Sequence, residues 1–271
     1  MTTLLLLGMG VGLILALTGA GGSIIAMPML MFGMGWSVAE AGPVALLAVA
    51  CSATVGALIG LKMRQVRYRA ALLISACGIP FTPVGLMAAR ALPETVLTVL
   101  FALLLLGVSI RSMRQARAAP ATPPTDPGAC VAAPCLLDPA TGRLAWTGRC
   151  GRALSIAGVG TGFLSGLFGV GGGFFVVPVL QRFTDLSMNS VIATSMMVVA
   201  LVSTGAATVA AVGGHLPWDS GWPFALGAIG GMAIGRLAAK GIPSTRLSFG
   251  FALVCSTISV VLLVRVAYAA L

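Results

Sequence analysis

Long apolar runs separated by short polar or glycine-rich breaks make up most of this chain. They fall at about 3–17, 22–36, 42–60, 70–89 and 94–112, and again at about 153–168, 173–184, 190–212, 220–239 and 244–264. A helix needs roughly 20 apolar residues to cross a bilayer's hydrocarbon core. The third, fourth and fifth runs of each set predict such spans. The first two of each set are short, with glycines between them. They predict either two thin or tilted helices or one broken element that enters and returns.

The two sets are related by an internal repeat at an offset of 150. Residues 8–30 read GMGVGLILALTGAGGSIIAMPML and residues 158–180 read GVGTGFLSGLFGVGGGFFVVPVL, identical at nine of 23 positions. The same register, without a gap, aligns Ser37 with Ser187, Thr54 with Thr204, Gly85 with Gly235, Pro93 with Pro243 and Phe101 with Phe251. A register kept over about 100 residues predicts a duplicated architecture. The first repeat is assigned to 1–113 and the second to 150–271. Between them, 114–149 is rich in Pro, Ala and Thr and predicts an exposed linker with little regular structure.

Composition places the runs in a membrane. Of the 271 residues 58% are hydrophobic and 8% charged, and mean hydropathy is +1.06. Soluble domains carry roughly 25% charged residues, so this surface is expected to face lipid. The first run has no basic stretch before it and no small-residue cleavage site after it, which predicts a first spanning element. The net charge of +10 comes from basic residues clustered between apolar runs. They build no basic module, so no nucleic-acid partner is expected.

The placement of charge predicts orientation. Loop 61–69 carries Lys62, Arg64, Arg67 and Arg69 and is expected in the cytoplasm. Its repeat counterpart 211–219 holds His215 and Asp219 but no Lys or Arg, and is expected outside. Near 240, Arg236, Lys240 and Arg246 mark an inner loop, against Arg90 alone near 90. The two repeats therefore point in opposite directions, which requires an odd number of crossings in each, and five fits. With both termini outside, fourteen of the sixteen basic residues fall inside, leaving Arg90 and Arg265 outside. The fold class predicted is an all-α polytopic membrane protein of two inverted repeats, with glycine-broken short helices opening each.

The breaks themselves, Thr18-Gly-Ala-Gly-Gly22 and Phe168-Gly-Val-Gly-Gly-Gly173, carry the candidate chemistry. Interrupted backbone is tolerated inside a membrane only where protein or a water-filled cavity satisfies it, and inverted-repeat transporters bind substrate at such interruptions. Helices starting near Ser23 and Phe174 would aim free N–H groups and a positive helix end into the break, an anion site made of backbone. Gly19, Gly21, Gly22, Gly169, Gly171, Gly172 and Gly173 are the candidate residues. The competing reading is close helix packing through small residues, which Gly8-x3-Gly12 and Gly158-x3-Gly162-x3-Gly166 fit well. Asn189, Thr194 and Ser195 are added as substrate-binding candidates. Ser52, Thr54, Ser203 and Thr204 are further hydroxyls, each weighed against a bond to its own helix. Asn189 and Ser190 also suit a helix cap, His215 reads as a loop residue, and Glu40 as a residue near an outer helix start.

No enzyme is expected, since the chain has a single histidine and no compact nucleophile–base set, and no cofactor or metal is assigned. Cys130-x4-Cys135 with Cys150 is a weak metal pattern, with Asp126 or Asp138 as an oxygen donor. The plainer expectation is unconstrained, reduced cysteines in a cytoplasmic linker.

The GxGGG–apolar–Pro form of Gly169–Pro178, its degenerate copy in Gly19–Pro28 and the Ser187–Ser195 stretch SMNSVIATS resemble the sulfite exporter TauE/SafE family of membrane permeases. The resemblance spans nearly all of the chain apart from 114–149. The first-half copy departs from it, with Ser23 where the second half has Gly173, and Gly42-Pro43-Val44-Ala45 where it has Ile192-Ala193-Thr194-Ser195. A substrate path lined by that segment would be asymmetric. The resemblance implies a permease of the bacterial inner membrane that moves a small sulfur-containing anion, such as sulfite, an organosulfonate or thiosulfate. Alternative readings are a permease or channel for another solute such as a metal ion, or a non-transporting membrane partner. The partners expected are the small anion and the lipid bilayer, with a homodimer left open.

Overall fold

The computed structural model describes residues 1–117, 135, 147–184, 186, 188–214, 216–238 and 253–264. Among them every regular element is a helix: α1 Thr2–Thr18, α2 Ser23–Met34, α3 Val38–Lys62, α4 Tyr68–Gly78, α5 Thr82–Ala91, α6 Glu94–Arg117, α7 Gly148–Phe168, α8 Gly173–Phe183, α9 Met188–Val212, α10 Trp218–Ala238 and α11 Leu253–Val264. Among the described residues three stretches are long and apolar enough to cross a membrane, Glu40–Lys62, Tyr68–Ala91 and Asn189–Val212. With 12 and 11 residues, α2 and α8 are only about 18 and 17 Å long. They are short against a hydrocarbon core of about 30 Å.

Local chemistry sets the boundaries. Ser37 and Glu40 close a reciprocal capping box at the start of α3, which satisfies two otherwise unpaired backbone N–H groups. α7 ends where Gly169 turns left-handed, its N–H donating to Ser165 O at 2.9 Å. The fourth run of the first half is interrupted by a tight turn at Ile79–Phe81, where Pro80 and Pro83 each lack a backbone donor. Its counterpart α10 runs through without a break.

Glycine stripes bring the helices together in two equivalent pairs. Gly8 and Gly12 of α1 rest on the backbone of Phe224 and Ala228, while Gly227 and Gly231 of α10 rest on Leu5 and Met9. Both series advance together, so α1 and α10 run parallel. Gly158, Gly162 and Gly166 of α7 rest in the same way on Ile74, Gly78 and Thr82, so α7 runs parallel to α4–α5. The first helix of each half thus lies against the fourth run of the other. Between the pairs, α3 and α9 cross antiparallel. Gly60 faces Ala193 and Gly56 faces Met196, while Leu46 packs with Ala206 and Ala207.

Burial follows the pattern expected in lipid. Large apolar side chains such as Leu72, Met87, Leu103, Ile156 and Ile234 stand more than half exposed. The interior adds small hydroxyls to its apolar residues, with Ser52, Thr161, Thr194 and Ser203 at 0% exposure. Two of these four bond their own helix, Ser52 to Ala48 O at 2.7 Å and Thr161 to Ala157 O at 2.7 Å.

One expectation about the linker is overturned. Cys135 and Cys150 are not free thiols but are joined by a disulfide with a Cα–Cα distance of 5.1 Å. Both are buried in a cluster with Leu154, Val176 and Leu180, and Cys135 N–H donates to Phe183 O at 3.2 Å. This part of the linker is stapled to the ends of α7 and α8. Cys130, Asp126, Asp138 and His215 lie outside the described residues.

Candidate functional site

The two glycine breaks converge on α9. The first, Gly19–Gly22, is one tight turn that packs against α8 and α9. Gly19 has φ +72°, and a Cβ there would lie 2.8 Å from Ile192 Cγ2. Gly22 lies against the backbone of Leu15, so α2 leaves the turn folded back on α1. In the second break Gly169, Gly171 and Gly172 all have positive φ, a region open to glycine at little cost. Gly169 sits backbone to backbone on Gly42 of α3. Gly171 faces Ser203 Oγ of α9, with Val49 Cγ1 at 3.1 Å and Val199 Cγ1 at 3.2 Å from where its Cβ would be.

The short helices start where the sequence predicts, α2 at Ser23 and α8 at Gly173, one residue before Phe174. Neither has a side-chain cap bond or an acid in its first turn. Phe175 and Val176 N–H both donate to Gly172 O. The leading N–H groups of any helix have no partner within it, and the positive helix end favours negative charge.

Ser203 is the hydroxyl that stands out. Four other candidates, Ser52, Thr54, Ser195 and Thr204, bond carbonyls of their own helices. Ser203 Oγ is fully buried without a partner among the described residues, and so is Ser165 Oγ in the last turn of α7. An unsatisfied buried hydroxyl costs about 1–3 kcal/mol, so two of them flanking the second break mark a place suited to a water or a ligand. Ser165 was missed in the sequence because it sits inside the Gly162–Gly166 packing stripe. Thr194 has a different task. Its Oγ1 accepts from Arg67 N at 3.0 Å and pins the loop leading into α4. Asn189 is exposed on the first turn of α9.

A cavity of about 250 Å³ reaches the second break. Its wall includes Gly42, Leu46, Leu86 and Gly169, with Glu40 and Arg90 at polar positions on its lining. Arg236, a topology-marking charge in the sequence reading, turns out to be half-buried between helices. Its Nη2 donates to Gly56 O of α3 at 3.2 Å and Met196 Sδ of α9 at 3.1 Å. Its Nε is buried without a partner among the described residues.

A probable membrane transporter protein of Methanocaldococcus jannaschii is 24% identical over 208 residues, covering 74% of this chain and 69% of that protein. No solved structure matches the chain significantly. Residues 4–262, nearly the whole chain, match the sulfite exporter TauE/SafE family, and the protein belongs to that family.

Proposed function

We propose that the protein is a secondary transporter, a permease that moves a small sulfur-containing anion across the cytoplasmic membrane by alternating access. Membership of a transport family makes it a multi-pass membrane protein and not an enzyme. Sulfite, organosulfonates and thiosulfate are the candidate substrates. The observation that carries the anion reading is the pair of uncapped helix starts, α2 and α8, with no acid in their first turns and both glycine breaks packed near α9. Backbone N–H groups there hold an anion without a charged side chain. The glycines of both breaks, with Ser203 beside Gly171, form the proposed site, and Asn189, Thr194 and Ser195 lie at its α9 margin.

The two halves act as inverted repeats of five passes, with α2 and α8 as thin passes. Two features support this. Equivalent helices α3 and α9 cross antiparallel, and α1 and α7 each run alongside the fourth run of the other half. The basic residues put the linker and loop 61–69 in the cytoplasm and the cavity beside Gly169 on the outer side. The Cys135–Cys150 bond pulls the other way, because disulfides persist in oxidising compartments and are rare in the cytosol. We give the charge distribution more weight, since it involves fourteen of the sixteen basic residues. Among the described residues no three of His, Cys, Asp or Glu converge to hold a metal, so no observation favours the metal-ion alternative.

The test is flux of radiolabelled sulfite, taurine-like sulfonates and thiosulfate into proteoliposomes, with and without an imposed proton gradient. Saturable flux of at least one anion is expected, and its response to the gradient identifies the coupling. Flux of metal ions or amino acids with none of these anions moving would overturn the reading.

A further inference from the structure

We propose that Arg236 receives the substrate anion at the end of the path opposite the Gly169 cavity, when that end opens. The proposal rests on the inverted-repeat anion-carrier reading above. The 150-residue register pairs the cavity-wall residues Gly42, Leu46, Leu86 and Gly169 with Ile192, Met196, Arg236 and Gly19. At the first end Leu46 and Leu86 border an open space, beside the backbone contact of Gly169 with Gly42. At the second they are in contact: Ile192 presses on Gly19, Met196 packs with Ala16 and Met232, and Arg236 bonds Gly56 O and Met196 Sδ. One end is open and its repeat counterpart is filled. In a transporter of inverted repeats, the two halves exchange these arrangements during alternating access. The exchange turns the Arg236 position into the wall of an open cavity, as the Leu86 position is now.

The chemistry of the position fits an anion. Arg236 keeps its charge, because a guanidinium is not deprotonated in proteins. It is half-buried on a helix of a chain with few charged residues, where an ionisable side chain points to a substrate path. Its present partners, a carbonyl and a thioether, neutralise nothing. Among the described residues the carboxylates Glu40, Glu94 and Asp219 all lie in the first turns of their helices. Asp219 is thus about 25 Å away along α10. The repeat counterparts of Gly56, Met196 and Arg236 are Ala206, Leu46 and Leu86, an apolar set. Gly56 leaves room for the methionines that pack beside the guanidinium, since a Cβ there would overlap Met232 Cε and lie 2.7 Å from Met196 Sδ. An arginine facing a planar or pyramidal oxyanion offers paired N–H donors, while the backbone site at the breaks offers none with full charge. Arg236 thus sets a full positive charge at this end of the path, whereas at the other end Arg90 shares the cavity lining with the carboxylate Glu40.

The experiment compares thermal unfolding of the purified full chain in detergent with sulfite or thiosulfate against chloride at equal ionic strength. Wild type, Arg236→Lys and Arg236→Leu are measured, together with phenylglyoxal modification of wild-type Arg236 read by peptide mass spectrometry. Sulfite or thiosulfate is expected to stabilise the wild type. The apparent affinity falls about ten- to a hundredfold in Arg236→Leu and less in Arg236→Lys, and the anion shields Arg236, but not exposed Arg64, from modification. A merely structural Arg236 would lower the starting Tm and leave the anion-induced shift intact. Equal anion shifts in wild type and Arg236→Leu would overturn the role of Arg236 and leave the anion carrier standing. If Arg236→Leu does not fold, an Arg236→Lys affinity equal to wild type with no shielding overturns it as well. No anion effect on the wild type would overturn both.

Discussion

Gly162→Val is expected to keep the protein from reaching its folded state. Gly162 lies directly on the backbone of Gly78, and an added Cβ would sit 2.7 Å from Gly78 Cα and closer still to its carbonyl. Backbone cannot move aside as a side-chain tip can, so α7 and α4–α5 must separate along their length. Overpacking costs about 1–3 kcal/mol where side chains can give way; with backbone against backbone the cost rises above that, toward the 5–15 kcal/mol that holds a typical domain together. Size-exclusion profiles of detergent extracts should show the monodisperse peak lost. Gly151→Val on the same helix is the control, because a Cβ there meets nothing within 4 Å, and it should extract like the wild type. Equal recovery of both variants would mean that the α7 stripe does not hold these helices together.

Gly171→Ala is expected to leave the protein folded and reduce anion flux at least tenfold. The left-handed backbone at Gly171, with φ +73°, makes alanine unfavourable by about 1–2 kcal/mol, which a folded chain tolerates. The functional damage comes from where the methyl goes. It enters the space between Ser203 Oγ, Val49 and Val199, beside a buried hydroxyl with no partner among the described residues and next to the start of α8. Full flux in Gly171→Ala would make an anion site at the second break untenable.

Helix positions were readable from the apolar runs because lipid demands long uninterrupted segments, and the glycine breaks were readable because both copies interrupt them at the same place. The starts of α2 and α8 follow directly. Contacts across the fold were not readable. Arg236 reads as a loop charge until Gly56 and Met196, 180 and 40 residues away in sequence, are folded against it. Thr194 reads as a site hydroxyl until Arg67 N, 127 residues away, takes its oxygen. Ser203 looks like Ser52 in sequence, and only the packing of Gly171 against it separates them. Cysteine spacing likewise holds no sign that Cys135 folds back onto Cys150, because the partner is chosen by burial against Leu154 and Val176.

Alternation between an open end and a filled end requires the two halves to face opposite ways. The most direct measurement places single cysteines at two exposed positions, Met63→Cys (58% exposed) and Val212→Cys (90% exposed), in the repeat-related loops 61–69 and 211–219. The six native cysteines are replaced by serine or alanine, and a membrane-impermeant maleimide is applied to intact cells and to inverted vesicles. Val212→Cys should label in cells and Met63→Cys only in inverted vesicles, which would also put the region of the Cys135–Cys150 bond on the cytoplasmic side. Labelling of both positions from the same side would contradict the inverted architecture and, with it, the exchange of open and closed ends.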